Sequence, residues 1–409
     1  MLKRGADDVA YASSEAVQAA DIGAQRVSAS LINWRLLSLA WAHFLNDGAA
    51  NFLPGVLPAI LIALNIELKL VGTVMAALLV CQALQPACGW LADRFGGRAF
   101  VIMGVGGSAC GGALIGLAPG YYSLLGVLFI VGAANSLFHP QAMACVRQVS
   151  VRRFGLSMSV FLVGGELGRA FWPLVASVVA SRMGLRALWV LAIPTVATLP
   201  LIVRELPRLK RRAERDTAGA VQRRWNSPAL IALVVYCSLH ATLLYSLTTF
   251  LPLLYKLQGS SLVGAATSVT VLLSVGNLGS IGGGYLADHV GRRTLLAASA
   301  VLSATLLTAF LVESGAIRWF LLGALGLVAF STMPLRILIA QDILPDNHSL
   351  GSGLALGFSN AVGAVAIAGL GPVAARWGVS SALWLSVGAA ALLLASVPFL
   401  ADDSVSDVT

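Results

Sequence analysis

Apolar residues in this chain gather into runs of about twenty or more, separated by short breaks rich in glycine, arginine and aspartate. Runs of that length predict helices able to cross a hydrocarbon layer about 30 Å thick. Twelve such helices are expected, near residues 36–63, 70–92, 99–118, 121–146, 155–181 and 186–203, then 227–255, 262–287, 294–312, 317–342, 351–375 and 380–400. The longest polar interruption, Arg204 to Asn226, carries eight Arg or Lys and separates two sets of six spans. The expected organisation is a polar, disordered segment over 1–30, a six-helix bundle over 31–203, a basic linker over 204–226, a second six-helix bundle over 227–401 and a disordered tail over 402–409.

Composition agrees with this pattern. The chain is 58% hydrophobic and 11% charged, with a mean hydropathy of +0.84, well outside the range of soluble domains. It reads as an all-α integral membrane protein, with the lipid bilayer as its first partner. Lys3-Arg4 is followed by Asp7-Asp8 rather than an apolar stretch, so no cleaved signal peptide is expected.

The net charge of +9 raises the question of a nucleic-acid partner, and the placement of the 27 basic residues decides against it. With the amino terminus inside, nineteen Lys or Arg fall on the cytoplasmic side and six on the other. That bias predicts a multi-pass protein of a cell inner membrane with both termini in the cytoplasm. Two arginines, Arg169 and Arg336, belong to neither side and fall inside spans. Cys81, Cys88, Cys110, Cys145 and Cys237 are scattered in apolar stretches without paired spacing. They read as packing residues, and no disulfide, metal site or cofactor is expected.

The segment Gly89-Trp-Leu-Ala-Asp-Arg-Phe-Gly-Gly-Arg98 recurs 195 positions later as Gly284-Tyr-Leu-Ala-Asp-His-Val-Gly-Arg-Arg293, each copy between two spans. Pro140 and Pro334, Gly155 and Gly351, Gly168 and Gly363, and Gly184 and Gly378 keep nearly the same offset, so the halves read as repeats. The pattern resembles the signature of the major facilitator superfamily, in the loops joining the second to the third helix and the eighth to the ninth. The resemblance implies two six-helix bundles that rock about a central cavity lined by the first, fourth, seventh and tenth helices. It also implies gating, with Gly89, Asp93, Arg94, Gly96, Arg98, Gly284, Asp288, Gly291, Arg292 and Arg293 forming latches between the bundles. Gly89 and Gly284 would allow close helix approach, and Gly96 and Gly291 a tight turn. Gly97 and His289 replace residues that are usually basic in that signature.

Ionisable residues inside spans are costly and point to function. His43 and Asp47 lie four apart on one face of the first span and could build a proton relay, or Asp47 could form a static interhelical bond. In the fourth span Asn135 and His139 share a face, and Pro140 is expected to kink or loosen the helix beside them. Cavity function and a structural histidine compete there. Glu166 and Arg169 in the fifth span are three apart; either they form a structural pair or one is freed for cargo or proton. Gly164, Gly165 and Gly168 read as close-packing positions. Arg336, in the tenth span, is a permanent cation that needs an anion, either Asp47 or Glu166 in the empty protein or an acidic group of the cargo. Its alternative is snorkelling to water. Tyr236 and His240 on the seventh span serve either cargo contact or packing. Gln82, Gln85, Asn277 and Asn360 are expected to hydrogen-bond across helices.

His-Phe-Leu-Asn-Asp-Gly in the first span, Phe138-His-Pro140 in the fourth, and Gly155-Leu-Ser with Val163-Gly-Gly in the fifth are similar to the fosmidomycin-resistance group of bacterial exporters. That resemblance implies efflux of a small polar anion, such as a phosphonate, carboxylate or drug, in exchange for protons, by a monomer. Asp47, His43 and Glu166 are then the proton-coupling candidates, and Arg169, Arg336, His139, Asn135, Tyr236 and His240 the substrate-binding ones. Glu166 and Arg169 depart from the neutral residues of that group and would suit a zwitterion, such as an amino-acid-derived, opine-type metallophore. A proton symporter importing organic anions or sugars is the rival within the same class. An enzyme is not expected, since no nucleophile triad, metal cluster or phosphate-cradling loop stands out.

Overall fold

The computed structural model describes residues 33–95, 97–150, 154–207, 227–344, 351 and 353–400. Gly96, most of the basic linker and both terminal segments expected to be disordered lie outside the described residues, as does the side chain of Asp93.

Every described segment is helix, turn or short connection, and twelve helices are long and apolar enough to span a membrane. They are α1 (Trp34–Ala63), α2 (Leu68–Ala92), α3 (Gly97–Ile115), α4 (Tyr121–Val149), α5 (Leu156–Met183) and α6 (Leu185–Glu205). The second half holds α7 (Pro228–Leu257), α8 (Leu262–Val290), α9 (Arg292–Val312), α10 (Ile317–Ile343), α11 (Gly353–Trp377) and α12 (Val379–Phe399). Helices are the form available to such runs because a hydrocarbon layer offers no water to unpaired backbone groups.

Interruptions fall where the sequence removes a backbone donor. α1 resets at Phe52, just before Leu53-Pro54, and α10 at Ser331-Thr332, just before Met333-Pro334. Pro140 does not break α4, which runs as one helix from Tyr121 to Val149.

Small residues set how near the helices come. The Cβ that Gly164 lacks would collide with the Ala40 carbonyl, and that of Gly168 with the Phe44 carbonyl, so α5 lies backbone to backbone on α1. Gly279 and Gly283 of α8 meet the Leu327 and Ser331 carbonyls of α10 in the same way. Asn33 fixes the start of α1 twice over: its Oδ1 accepts from Leu36 N at 2.8 Å and its Nδ2 donates to Val149 O at 3.0 Å, at the far end of α4.

The two halves meet along α2 with α11 and α5 with α8. Gly72 faces the Ile367 carbonyl and Gly371 the Lys69 carbonyl at the end remote from the repeated loops. Gly353 and Gly357 lie against Pro86 and the Gln82 carbonyl nearer the loops. Between α5 and α8, Thr270 Oγ1 donates to Ala170 O at 2.9 Å.

Candidate functional site

The close approach of α5 to α1 places α1's polar face in a dry interior. A Cβ on Gly165 would occupy the space of the His43 imidazole, so the ring lies flat on the α5 backbone and stacks on Phe161, with centroids 4.2 Å apart. Its Nδ1 bonds Phe161 O at 2.9 Å, and its Nε2 stands 3.4 Å from Asp47 Oδ2. From α4, His139 approaches the other carboxylate oxygen, with Nε2 3.3 Å from Asp47 Oδ1 and Nδ1 bonded within its own helix to Asn135 O at 3.0 Å.

Asn46 completes the cluster. Its Nδ2 donates to Asp47 Oδ1 at 3.0 Å and to Asn135 Oδ1 at 2.6 Å, while its Oδ1 accepts from Ser108 Oγ of α3 at 3.0 Å. Asp47, His43 and Asn46 are all buried, and His139 is the partly exposed member of this polar network. The ligand-type atoms of His43, Asp47 and His139 lie within 4.8 Å of one another, a spacing that admits shared protons or a small cation.

Arg169 connects this cluster to open space. Its Nη1 donates to Glu166 Oε1 at 2.9 Å, and its charge acts on both Asp47 and His139. Glu166 Oε2 is buried without a partner. Arg169 also lines the cavity between the two halves, together with Asn51, Tyr245 and Thr248. The rest of the wall is apolar, including Met75, Leu244, Leu273 and Phe330. Tyr245 Oη accepts from Gln82 Nε2 at 3.0 Å, and Gln82 Oε1 accepts from Asn360 Nδ2 at 2.8 Å, a chain of bonds across the two halves.

Several expectations need correction. The cavity wall comes from α1, α2, α5, α7, α8 and α10; α4 contributes nothing to it because Asn135 and His139 are turned onto Asp47. Arg336 meets neither Asp47 nor Glu166. It is buried on α10, with its Nη2 against Met333 Sδ and its Nε unpartnered, and its charge acts on Tyr236 and His240 of α7. His240 Nε2 bonds Ala329 O at 2.8 Å, and its ring stacks with Tyr236 at 6.3 Å. The Asn277 amide, expected to bond across helices, is buried without a partner, whereas Gln82 and Asn360 bond as expected. All five cysteines are free.

The repeated loops show contacts within each half. Arg98 Nη2 donates to Val203 O at 2.5 Å, Arg94 sits over the Trp90 ring at 5.7 Å, and Arg292 pairs with Asp342 at 2.5 Å. Arg293 Nη2 donates to Pro398 O at 2.6 Å and Leu400 O at 2.8 Å. Gly291 adopts φ +84°, the left-handed turn expected of it. Gly89 lies against Pro140 at 3.4 Å, but Gly284 faces open space and allows no close approach. Asp288 is exposed, with no ion pair among the described residues.

Sequence reasoning missed Asn46 and Ser108 as members of the cluster. Asn46 sits beside the acid it serves, and a polar pair inside an apolar run was the available signal. Ser108 stands in a glycine-rich stretch of α3 that gives no such hint.

Twelve spans, a closed ionisable cluster and a cavity between two repeated halves define a membrane carrier. The chain belongs to the Major Facilitator Superfamily, whose model matches residues 39–367, and it is accordingly a transporter and not an enzyme. It is similar to an uncharacterized MFS-type transporter, YfnC, of Bacillus subtilis (strain 168), 23% identical over 82% of this chain and 85% of that one. It is also similar to the fosmidomycin resistance protein of Escherichia coli (strain K12), 24% identical over 82% of this chain and 85% of the relative. The fold matches a crystal structure of the nucleoside transporter NupG with a TM-score of 0.73 at 15% identity, covering 90% of this chain and 100% of that one.

Proposed function

We propose that this transporter is a proton-coupled exporter that exchanges protons for a small anionic or zwitterionic compound across a bacterial inner membrane. The observation that carries the reading is the buried Asp47 held between two histidines, within electrostatic reach of Arg169, which pairs with Glu166 and lines the cavity between the two halves. A carboxylate in such a place is expensive unless it does work, and imidazole is the side chain whose charge changes near neutral pH. Asp47, His43 and Glu166 take up and release protons in this scheme. Arg169 receives the acidic group of the cargo, and Asn135 and His139 act on it through Asp47.

The Glu166–Arg169 pair favours a zwitterion in particular. A cargo acid that takes Arg169 displaces Glu166, whose carboxylate is then open to the cargo's own ammonium or to a proton. Proton and ammonium compete for one group, which is what exchange requires. Arg336, Tyr236 and His240 form a second cargo contact that opens when the halves move. The two six-helix halves rock as bundles, with the repeated loops as their gate and both termini in the cytoplasm, in a monomer.

The similarity to a fosmidomycin resistance protein supports the outward direction. In everted membrane vesicles with an acid interior, labelled fosmidomycin or a labelled opine should accumulate and be lost when the gradient is collapsed. Accumulation of neither probe, or accumulation only when the outer medium is the acid side, would contradict the reading.

A further inference from the structure

The geometry points to a two-proton site: His43, Asp47 and His139 together offer two vacant proton positions, one on each side of a single carboxylate. This rests on the proton-coupled reading above and specifies how many protons the cluster holds and where.

The argument begins at the far nitrogens. His43 Nδ1 lies 2.9 Å from Phe161 O, and His139 Nδ1 lies 3.0 Å from Asn135 O. A carbonyl oxygen can only accept, so both bonds exist only when Nδ1 carries the hydrogen. That fixes the tautomer of each neutral ring and leaves the Nε2 lone pair exposed. Each Nε2 faces a different oxygen of Asp47, at 3.4 Å for His43 and 3.3 Å for His139.

With the cluster empty of exchangeable protons, both approaches set a nitrogen lone pair against a carboxylate oxygen, an arrangement with no attraction. One proton placed in either gap turns that approach into a charge-assisted hydrogen bond, and a second does the same for the other. The cluster charge then steps from −1 through 0 to +1. Asn46 Nδ2 donates to Oδ1 and supports the carboxylate in all three states.

Groups from all six helices packed on α1 bear on this count. α7 and α8 meet its second half, Leu53–Ala63; α7 carries Tyr245, which acts on Arg169, and His240, bonded to Ala329 O, while α8 carries Asp288 and His289 at its loop end. α3 supplies Ser108, which reaches the cluster through Asn46. α4 supplies Asn135 and His139, and α5 supplies the Phe161 carbonyl together with Arg169, itself tied to Glu166. The charged residues of α6, Arg186, Arg204 and Glu205, sit at its two ends. Arg169 is therefore the fixed charge nearest in effect, acting on Asp47 and on His139. The two protonated rings would flank one carboxylate and repel each other, so the two protons bind in separate steps rather than together.

The test is nitrogen magnetic resonance on the full-length protein in lipid nanodiscs, with 15N-histidine and a pH titration. His43→Gln and His139→Gln identify the two rings by loss of signal, and the wild-type spectrum carries the result, so a poorly folding variant does not remove the test. Expected are Nδ1–H on both rings across the titration, with both Nε2 signals moving from unprotonated to protonated in two resolved steps. A ring in the Nε2–H form at alkaline pH, or only one ring moving down to the acid limit of folding, overturns the two-proton site. Vesicle transport separates this from the broader reading: pH-driven accumulation with one moving ring keeps proton coupling and rejects the second proton. Two moving rings without pH-driven accumulation support the site and reject the exporter.

Discussion

Gly165 and His43 occupy neighbouring space that only one side chain can fill: a Cβ on Gly165 would collide with the face of the imidazole ring. The absence of a side chain on α5 therefore fixes the position of a titratable group on α1. Gly165→Ala should push the ring off Phe161 and weaken its bond to that carbonyl. Loss of one such bond is worth about 1 kcal/mol, so proton-driven transport should fall roughly five- to tenfold. Vesicle transport and the His43 15N signal check this together, and an unchanged signal would show that the ring is held by something else.

Arg169 and Glu166 face each other in a partly buried pair, and removing one member leaves the other charged and unsupported. Arg169→Gln should therefore lower stability by up to about 3 kcal/mol, the lower end for breaking a buried pair. The double variant Glu166→Gln with Arg169→Gln removes both charges and should recover most of that loss. Neither should transport. Thermal unfolding in detergent gives the first comparison and vesicle uptake the second; a double variant that transports normally would make the pair purely structural.

The meeting of α2 with α11 yields a prediction about motion. Lys69 and Gly371 lie in backbone contact at the end remote from the repeated loops. Gly371→Ala sets a Cβ against the Lys69 carbonyl and should spread the two helices at that end, lowering both unfolding temperature and transport. Unchanged transport and unfolding temperature in Gly371→Ala would mean that the close contact at this end is not needed during the cycle.

Tyr245 joins the halves by accepting from Gln82 while facing the cavity. Tyr245→Phe keeps the ring and removes the acceptor. Transport should fall several-fold with little change in unfolding temperature, because one hydrogen bond contributes only about 1 kcal/mol. A large drop in unfolding temperature would instead mark the bond as part of the static packing.

Much of this architecture is legible in the sequence because the bilayer permits few solutions. Apolar run length gives the spans, and the matched Asp/Arg loops give the repeat. The i, i+4 spacing put His43 beside Asp47, and the i, i+3 spacing put Glu166 beside Arg169. Contacts between helices far apart in sequence were less accessible. Nothing along the chain said that His139 would turn from the cavity onto Asp47, since helical spacing fixes a face but not what that face meets. Arg336 shows the same limit. Its charge demanded an anion, yet the packing of α10 on α7 surrounds it with Tyr236 and His240 instead. The partnerless amide of Asn277 has no physical account in this structure.

The most direct measurement compares two modes of flux in Asp47→Asn. Proteoliposomes holding the wild-type protein should accumulate labelled fosmidomycin against an imposed pH gradient and also exchange labelled for unlabelled compound without one. Asp47→Asn should keep the gradient-free exchange while losing accumulation and its dependence on pH across the range from 5 to 8, where histidine charge changes. Gradient-driven accumulation at the wild-type rate in Asp47→Asn would contradict the account at its centre.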